Sequence, residues 1–139
     1  LAVVALVFFL PQLVGSGGNA GAQSSTLVVR AMATGEIGRG DWWRLFRKEI
    51  LVSASIGVSM ALATFLLGLW RGGARVGLIV SISMIAVVIT SSLMGLLLPM
   101  LLNKVKLDPA TASAPLVTSL ADIVGVLIYF SIARAMLGA

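Results

Sequence analysis

The sequence predicts an all-α fold, a polytopic bundle of membrane helices, and three features carry that prediction. Hydrophobic residues make up 59% of the chain and charged residues 11%, with a mean hydropathy of +1.09. An ordinary soluble domain is about 45–50% apolar and about 25% charged. The apolar runs are continuous over roughly 20 residues, the length a helix needs to cross the hydrocarbon core, and do not alternate as barrel strands do. The 139 residues have room for four such helices and little else, so a single transmembrane domain is expected, with no soluble regulatory domain in this chain.

The first helix is expected over residues 1–33. It opens with the lipid-type run LAVVALVFFL and continues as PQLVGSGGNAGAQSSTLVV. Pro11, Gly15, Gly17, Gly18 and Gly21 fall within eleven positions, beside Ser16, Asn19, Gln23, Ser24, Ser25 and Thr26. Small residues allow helices to pack closely, but this density of Pro and Gly predicts a break in the helix around Pro11–Gly21. Irregular backbone at membrane depth is tolerated only against protein or a water-filled cavity, so the segment is expected to border a pathway.

Residues 34–48 form a polar loop and an amphipathic lead-in, with Trp42, Trp43 and Phe46 beside Arg44, Arg47 and Lys48, an interfacial anchor. The second helix is expected over 49–70, with Ser53, Ser55, Gly57 and Ser59 giving it a small-residue face, and Trp70, Arg71 and Arg75 at its far end. The third is expected over 76–102. Thr90, Ser91, Ser92 and Gly95 read as a packing patch, and Pro99 predicts a kink or an end. A loop over 103–115 precedes the fourth helix, 116–137. Seven basic residues (Arg30, Arg39, Arg44, Arg47, Lys48, Lys104, Lys106) flank one side and three (Arg71, Arg75, Arg134) the other. The basic excess places loops 34–48 and 103–115 in the cytoplasm and the protein in the plasma or inner membrane. The net charge of +5 is thus an orientation signal, and no nucleic-acid partner is expected.

Asp122 lies inside the fourth apolar run. A charge near the bilayer centre costs at least about 2.5–3.5 kcal/mol, so such residues usually face a cavity or pathway. With no basic partner nearby in the run, a cation is the expected partner. A structural acid bonded to another helix is the alternative. The chain has no Cys and no His, which excludes thiol chemistry, soft-metal sites and His-based catalysis. An intramembrane protease needs a Ser–His pair or two catalytic Asp residues, and neither pattern occurs. No enzymatic activity and no cofactor are expected. Asp108 precedes Pro109 and suits either an N-cap or a cation-attracting mouth. Glu36 suits a solvated pair with Arg30 or Arg39, or cation attraction. Asp41 and Glu49 read as surface charges.

The runs PQLVGSGGNAGAQSSTLVVRAMATGEI and LDPATASAPLVTSLADIVGVLIYFSIA resemble the second and last helices of the MgtE-type magnesium transporter family. The resemblance implies a homodimer with five spans per subunit, in which this chain begins at the second. It implies magnesium as the transported ion, in a pore on the dimer axis lined by the second and fifth helices. It makes Asp122 the carboxylate that holds the hydrated ion, with Gly18, Asn19, Thr26 and Thr118 beside it, and Gly15, Gly17, Gly21, Gln23 and Ala114 along the pore. Ala114 stands where many members have Asn. The family's first span, its magnesium-sensing region with paired CBS domains and its connecting helix have no counterpart here, so gating by internal magnesium does not carry over. Magnesium keeps an octahedral shell of oxygen ligands and loses water reluctantly, so two carboxylates facing a hydrated ion match its charge and still release it. A carrier coupled to sodium or protons, transport of another divalent metal, or a non-transporting anchor are the rival readings.

Overall fold

A computed structural model describes residues 2–38 and 40–138; Leu1, Arg39 and Ala139 lie outside the described residues. Three long α-helices follow one another: α1 (Ala2–Ala33), α2 (Trp42–Lys104) and α3 (Ala114–Leu137), with one 3₁₀ turn, Pro109–Thr111, before α3. All three are long and apolar enough to cross a membrane.

Helix α2 has 63 residues and would be about 95 Å long if straight, some three times the hydrocarbon thickness. It folds back on itself at Gly73, whose φ of 83° and ψ of 178° fall in a region open essentially to glycine alone. The two halves then lie antiparallel. Ser81 donates from its hydroxyl to the Ala61 carbonyl, 3.2 Å away, Gly68 packs on the backbone of Gly77, and Gly57 on that of Ile85. The expected gap between helices 49–70 and 76–102 is therefore reduced to one non-helical residue, Gly73. The segment 42–48, expected as a lead-in, is already helical, and Pro99 sits buried inside the helix without ending it.

A stripe of small residues closes this hairpin. Ser53, Gly57, Ala61, Thr64 and Gly68 are the buried residues of the first half, spaced three or four apart and so on one face. Ser55 and Ser59, expected on that face, are exposed on another, where their hydroxyls donate back to Leu51 and Ser55 carbonyls at 2.8 Å. Such back-bonding satisfies a hydroxyl without a neighbour. The second half of α2 is the centre of the bundle. Val76, Ile79, Val80, Met84, Val87 and Val88 are at most 1% exposed, and Leu6, Phe9 and Leu13 of α1 and Tyr129 of α3 pack on them.

Helix α1 is continuous from Ala2 to Ala33, with Pro11 inside it. The expected break around Pro11–Gly21 is absent. In a low-dielectric environment a broken helix leaves backbone groups unsatisfied at several kcal/mol each, whereas a glycine in a helix costs about 1 kcal/mol relative to alanine. The glycines are used for contact with neighbouring helices.

Both ends of the bundle are tied by side chains bonded to backbone carbonyls. At the end holding Gly73, Tyr129 donates to Leu6 O at 2.7 Å and Arg75 to Met136 O at 2.6 Å, while the Arg71 guanidinium lies over the Phe8 and Trp70 rings at 5.4 and 5.2 Å. At the other end Ser25 donates to Ala112 O at 2.7 Å. Gly73→Ala forces a side chain onto a conformation costing about 1–3 kcal/mol. The expected outcome is a lowered melting temperature of the detergent-solubilised protein, with helix content by circular dichroism unchanged.

Candidate functional site

The faces of α1 explain where its polar residues go. Leu6, Phe9, Leu13, Gly17, Gly21, Ser24 and Val28 are buried and recur every three or four residues, forming one face. On it, Gly17 lies against Val87 and Ser91, and Gly21 against the Ser91 carbonyl and Val117. A Cβ on Gly95 would fall on the Gly21 carbonyl oxygen, so α1 and α2 cross here backbone to backbone. Thr90 is half-buried, and Ser91, Ser92 and Gly95 are buried, as a packing patch requires.

The opposite face is exposed at Phe8, Gln12, Gly15, Asn19, Gln23, Thr26 and Arg30, again three or four apart. Within an apolar helix, Gln12, Asn19, Gln23, Thr26 and Arg30 make this face a polar stripe, with the apolar Phe8 at its start. The Thr26 hydroxyl donates to its own helix at Ala22 O, 2.8 Å; Ala22, Gln23, Thr26 and Leu27 line an open cavity of ≈ 380 Å³.

Between these faces α1 meets α3, whose buried residues Val117, Ala121, Gly125, Tyr129 and Ala133 repeat every four positions. Gly125 lets α3 approach Val87 of α2. Asp122 and Thr118, half-buried, lie over Gly18: a Cβ on Gly18 would sit 3.0 Å from Asp122 Oδ1 and 2.9 Å from Thr118 Cγ2. Thr118 donates a long hydrogen bond of 3.4 Å to the Gly18 carbonyl. Asp122 Oδ1 is buried and accepts no hydrogen bond. A buried carboxylate oxygen without a donor is costly unless a cation or water completes it. Among the described residues no group of three or more Asp, Glu, His or Cys gathers, so a single chain offers one carboxylate here.

The expected site residues thus separate into groups. Gly18, Thr118 and Asp122 come together; Gly15, Asn19, Gln23 and Thr26 line the adjoining exposed stripe; Gly17 and Gly21 are buried in the crossing with α2. Ala114 begins α3 and is half-buried. Asp108 is exposed, and its carboxylate accepts from the Ala110 amide at 2.9 Å, capping the 3₁₀ turn and not α3, whose N-cap is Ser113. Glu36 is exposed. Asp41 is the N-cap residue of α2, accepts from the Gly38 amide and pairs with Arg44 at 3.1 Å. Gly95 and Ser25 were missing from the expected site. The Gly17–Gly21–Ser25 spacing of four was the available signal for a close helix crossing.

Comparison with known proteins adds a further finding. Residues 10–132 match the family described as MgtE, divalent cation transporter. The chain is 41% identical over 138 residues to a magnesium transporter MgtE of Thermus thermophilus, covering 99% of this chain and 31% of that protein. It is 40% identical over 139 residues to a magnesium transporter MgtE of Bacillus subtilis, covering 97% of this chain and 30% of that one. A magnesium transporter MgtE of Enterococcus faecalis is 35% identical over 129 residues, with 92% and 28% covered. The chain therefore spans about a third of the length of these curated relatives.

The Gly21–Gly95 crossing has a direct test. Gly95→Ala cannot be accommodated unless α1 withdraws from α2, because the neighbour is backbone. Overpacking of this kind costs about 1–3 kcal/mol, so a lower melting temperature is expected, whereas Gly15→Ala, with nothing within 4 Å, is expected to raise it slightly, since alanine is favoured over glycine in a helix by about 1 kcal/mol.

Proposed function

The chain belongs to the MgtE family of divalent cation transporters, and from that footing we propose that it is the ion-conducting membrane part of a magnesium transporter. In this proposal the hairpin of α2 crosses the membrane twice, which with α1 and α3 makes four crossings in one transmembrane domain. The ends carrying residues 34–41 and 105–113 face the cytoplasm, the side favoured by the basic residues.

The pore lies on the two-fold axis of a homodimer. The exposed stripe of α1 is too polar to face lipid, and a second copy related by two-fold symmetry presents the same stripe to it. Two Asp122 carboxylates then meet one divalent cation. Hydrated magnesium, with its water kept, is held by these charges; Asn19, Gln23 and Thr26 contact its water, Thr118 orients the Gly18 carbonyl, and Gly15 leaves room. Ala114 contributes no polar group where relatives with Asn would. The single observation that carries this reading is Asp122 Oδ1, buried over Gly18 with no hydrogen-bond donor.

Asp122→Asn keeps the shape and removes the charge. Each unit charge facing a divalent ion contributes several kcal/mol at close range, even at an effective dielectric constant of about 20. Magnesium uptake in cells lacking their own transporters is expected to fall by about tenfold or more at equal surface expression, since removing a membrane-buried charge does not disfavour insertion. Uptake at the unmodified rate and selectivity would make Asp122 structural. Assembly is checked separately. Asn19→Cys is expected to form a disulfide-linked dimer under mild oxidation, and Leu51→Cys, on the outer face of α2, is not. The reverse result would put the path within one chain.

A further inference from the structure

We propose that the first two turns of α2 form a binding site for an anionic phospholipid. An open cavity of ≈ 580 Å³ is lined by Trp43, Arg44, Arg47, Lys48, Leu51 and Val52 among others. Arg44, Arg47 and Lys48 are spaced three and four apart and so share a face; all three are exposed. One of the three charges is partly offset, because Arg44 pairs with Asp41 at 3.1 Å. Arg47 and Lys48 are the cations that remain to meet a phosphate, Arg47 with a planar fork suited to two of its oxygens.

What lies beneath the cations identifies the source of that phosphate. Leu51 is 67% exposed and Val52 45%. The same outer surface continues through Ile56, Val58, Leu62 and Leu66, all exposed, toward the middle of the proposed span. Ser55 and Ser59, in the same stretch, have their hydroxyls bonded to their own helix, so they present little polarity to a hydrocarbon chain. A free phosphate or an acidic peptide would use the cations and leave this apolar surface unmatched. A phospholipid fills both: headgroup at Arg47 and Lys48, acyl chains along Leu51 and Val52. Trp43, 67% exposed and stacked on Phe46 with ring centroids 5.9 Å apart, is beside the cations at the start of the proposed span, where an indole ring favours the headgroup region.

General attraction between a basic surface and anionic lipid predicts the same net enrichment but not the location, and this separates the two. The purified protein is placed in nanodiscs of mixed phosphatidylglycerol and phosphatidylcholine, and retained lipid is counted by native mass spectrometry. Arg47→Gln/Lys48→Gln is expected to lower retained phosphatidylglycerol by about tenfold, and Lys104→Gln/Lys106→Gln, at the same end of the bundle and equal in charge removed, to leave it unchanged. Equal losses in the two double variants would overturn the site in favour of diffuse attraction. Displacement of the lipid by millimolar inorganic phosphate would overturn the lipid as its occupant. Equal retention of phosphatidylcholine would overturn headgroup recognition. Size-exclusion profiles matching the unmodified protein establish that each variant is folded.

Discussion

The backbone crossing of α1 and α2 at Gly21 and Gly95 sets the rest of the architecture. No side chain separates the helices at that point, so the axis of α1 is fixed against the central helix. With it fixed, Gly18 is presented sideways to α3, and Asp122 and Thr118 come down onto a residue that has no side chain to repel them. Any bulk at position 95 would move α1 outward and remove the floor beneath Asp122. Membrane helices gain little from burying apolar surface against each other, because lipid is equally apolar; close van der Waals approach and hydrogen bonds take over that role. The same device is repeated in the α2 hairpin, where Gly57, Gly68 and Gly77 bring its two halves together.

Much of this was legible in the sequence because the membrane imposes strict lengths and strict polarity. The helical class and the approximate positions of the apolar segments follow from run length, and Asp122 stands out against its surroundings. What misled was the meaning of glycine. In soluble proteins a cluster such as Gly15–Gly21 breaks a helix. Here α1 passes through it intact, because leaving the helix would strand backbone groups where no water can satisfy them. At residues 70–76 the opposite happened. The sequence places a helix end at 70 and a helix start at 76, and a single glycine with positive φ, Gly73, accomplishes the reversal within continuous helix.

The contacts that position the candidate site were the least legible part. Ser25 with Ala112, Tyr129 with Leu6, and Thr118 with Gly18 join residues 87, 123 and 100 positions apart. Local periodicity holds no information about such pairs. Spacing alone does hold the faces of α1: seven of the nine exposed positions from Phe8 to Arg30 recur three or four apart. It could not say that the buried glycines Gly17 and Gly21 belong to a helix crossing and Gly18, one residue along, to the carboxylate.

Three of the long-range ties share a format. Tyr129, Arg75 and Ser25 donate, and the acceptors are the main-chain oxygens of Leu6, Met136 and Ala112. A main-chain acceptor is the same whichever side chain it carries, so the two partners of each tie have unequal substitutional freedom. Position 136, half-buried at the end of α3, can drift among helix-compatible residues without weakening its bond. Position 75 must keep a long donor to make it. These three ties thus rest on three donor side chains, and the other half of each connection is a peptide carbonyl, which point substitution cannot remove and only a distortion of the backbone can displace.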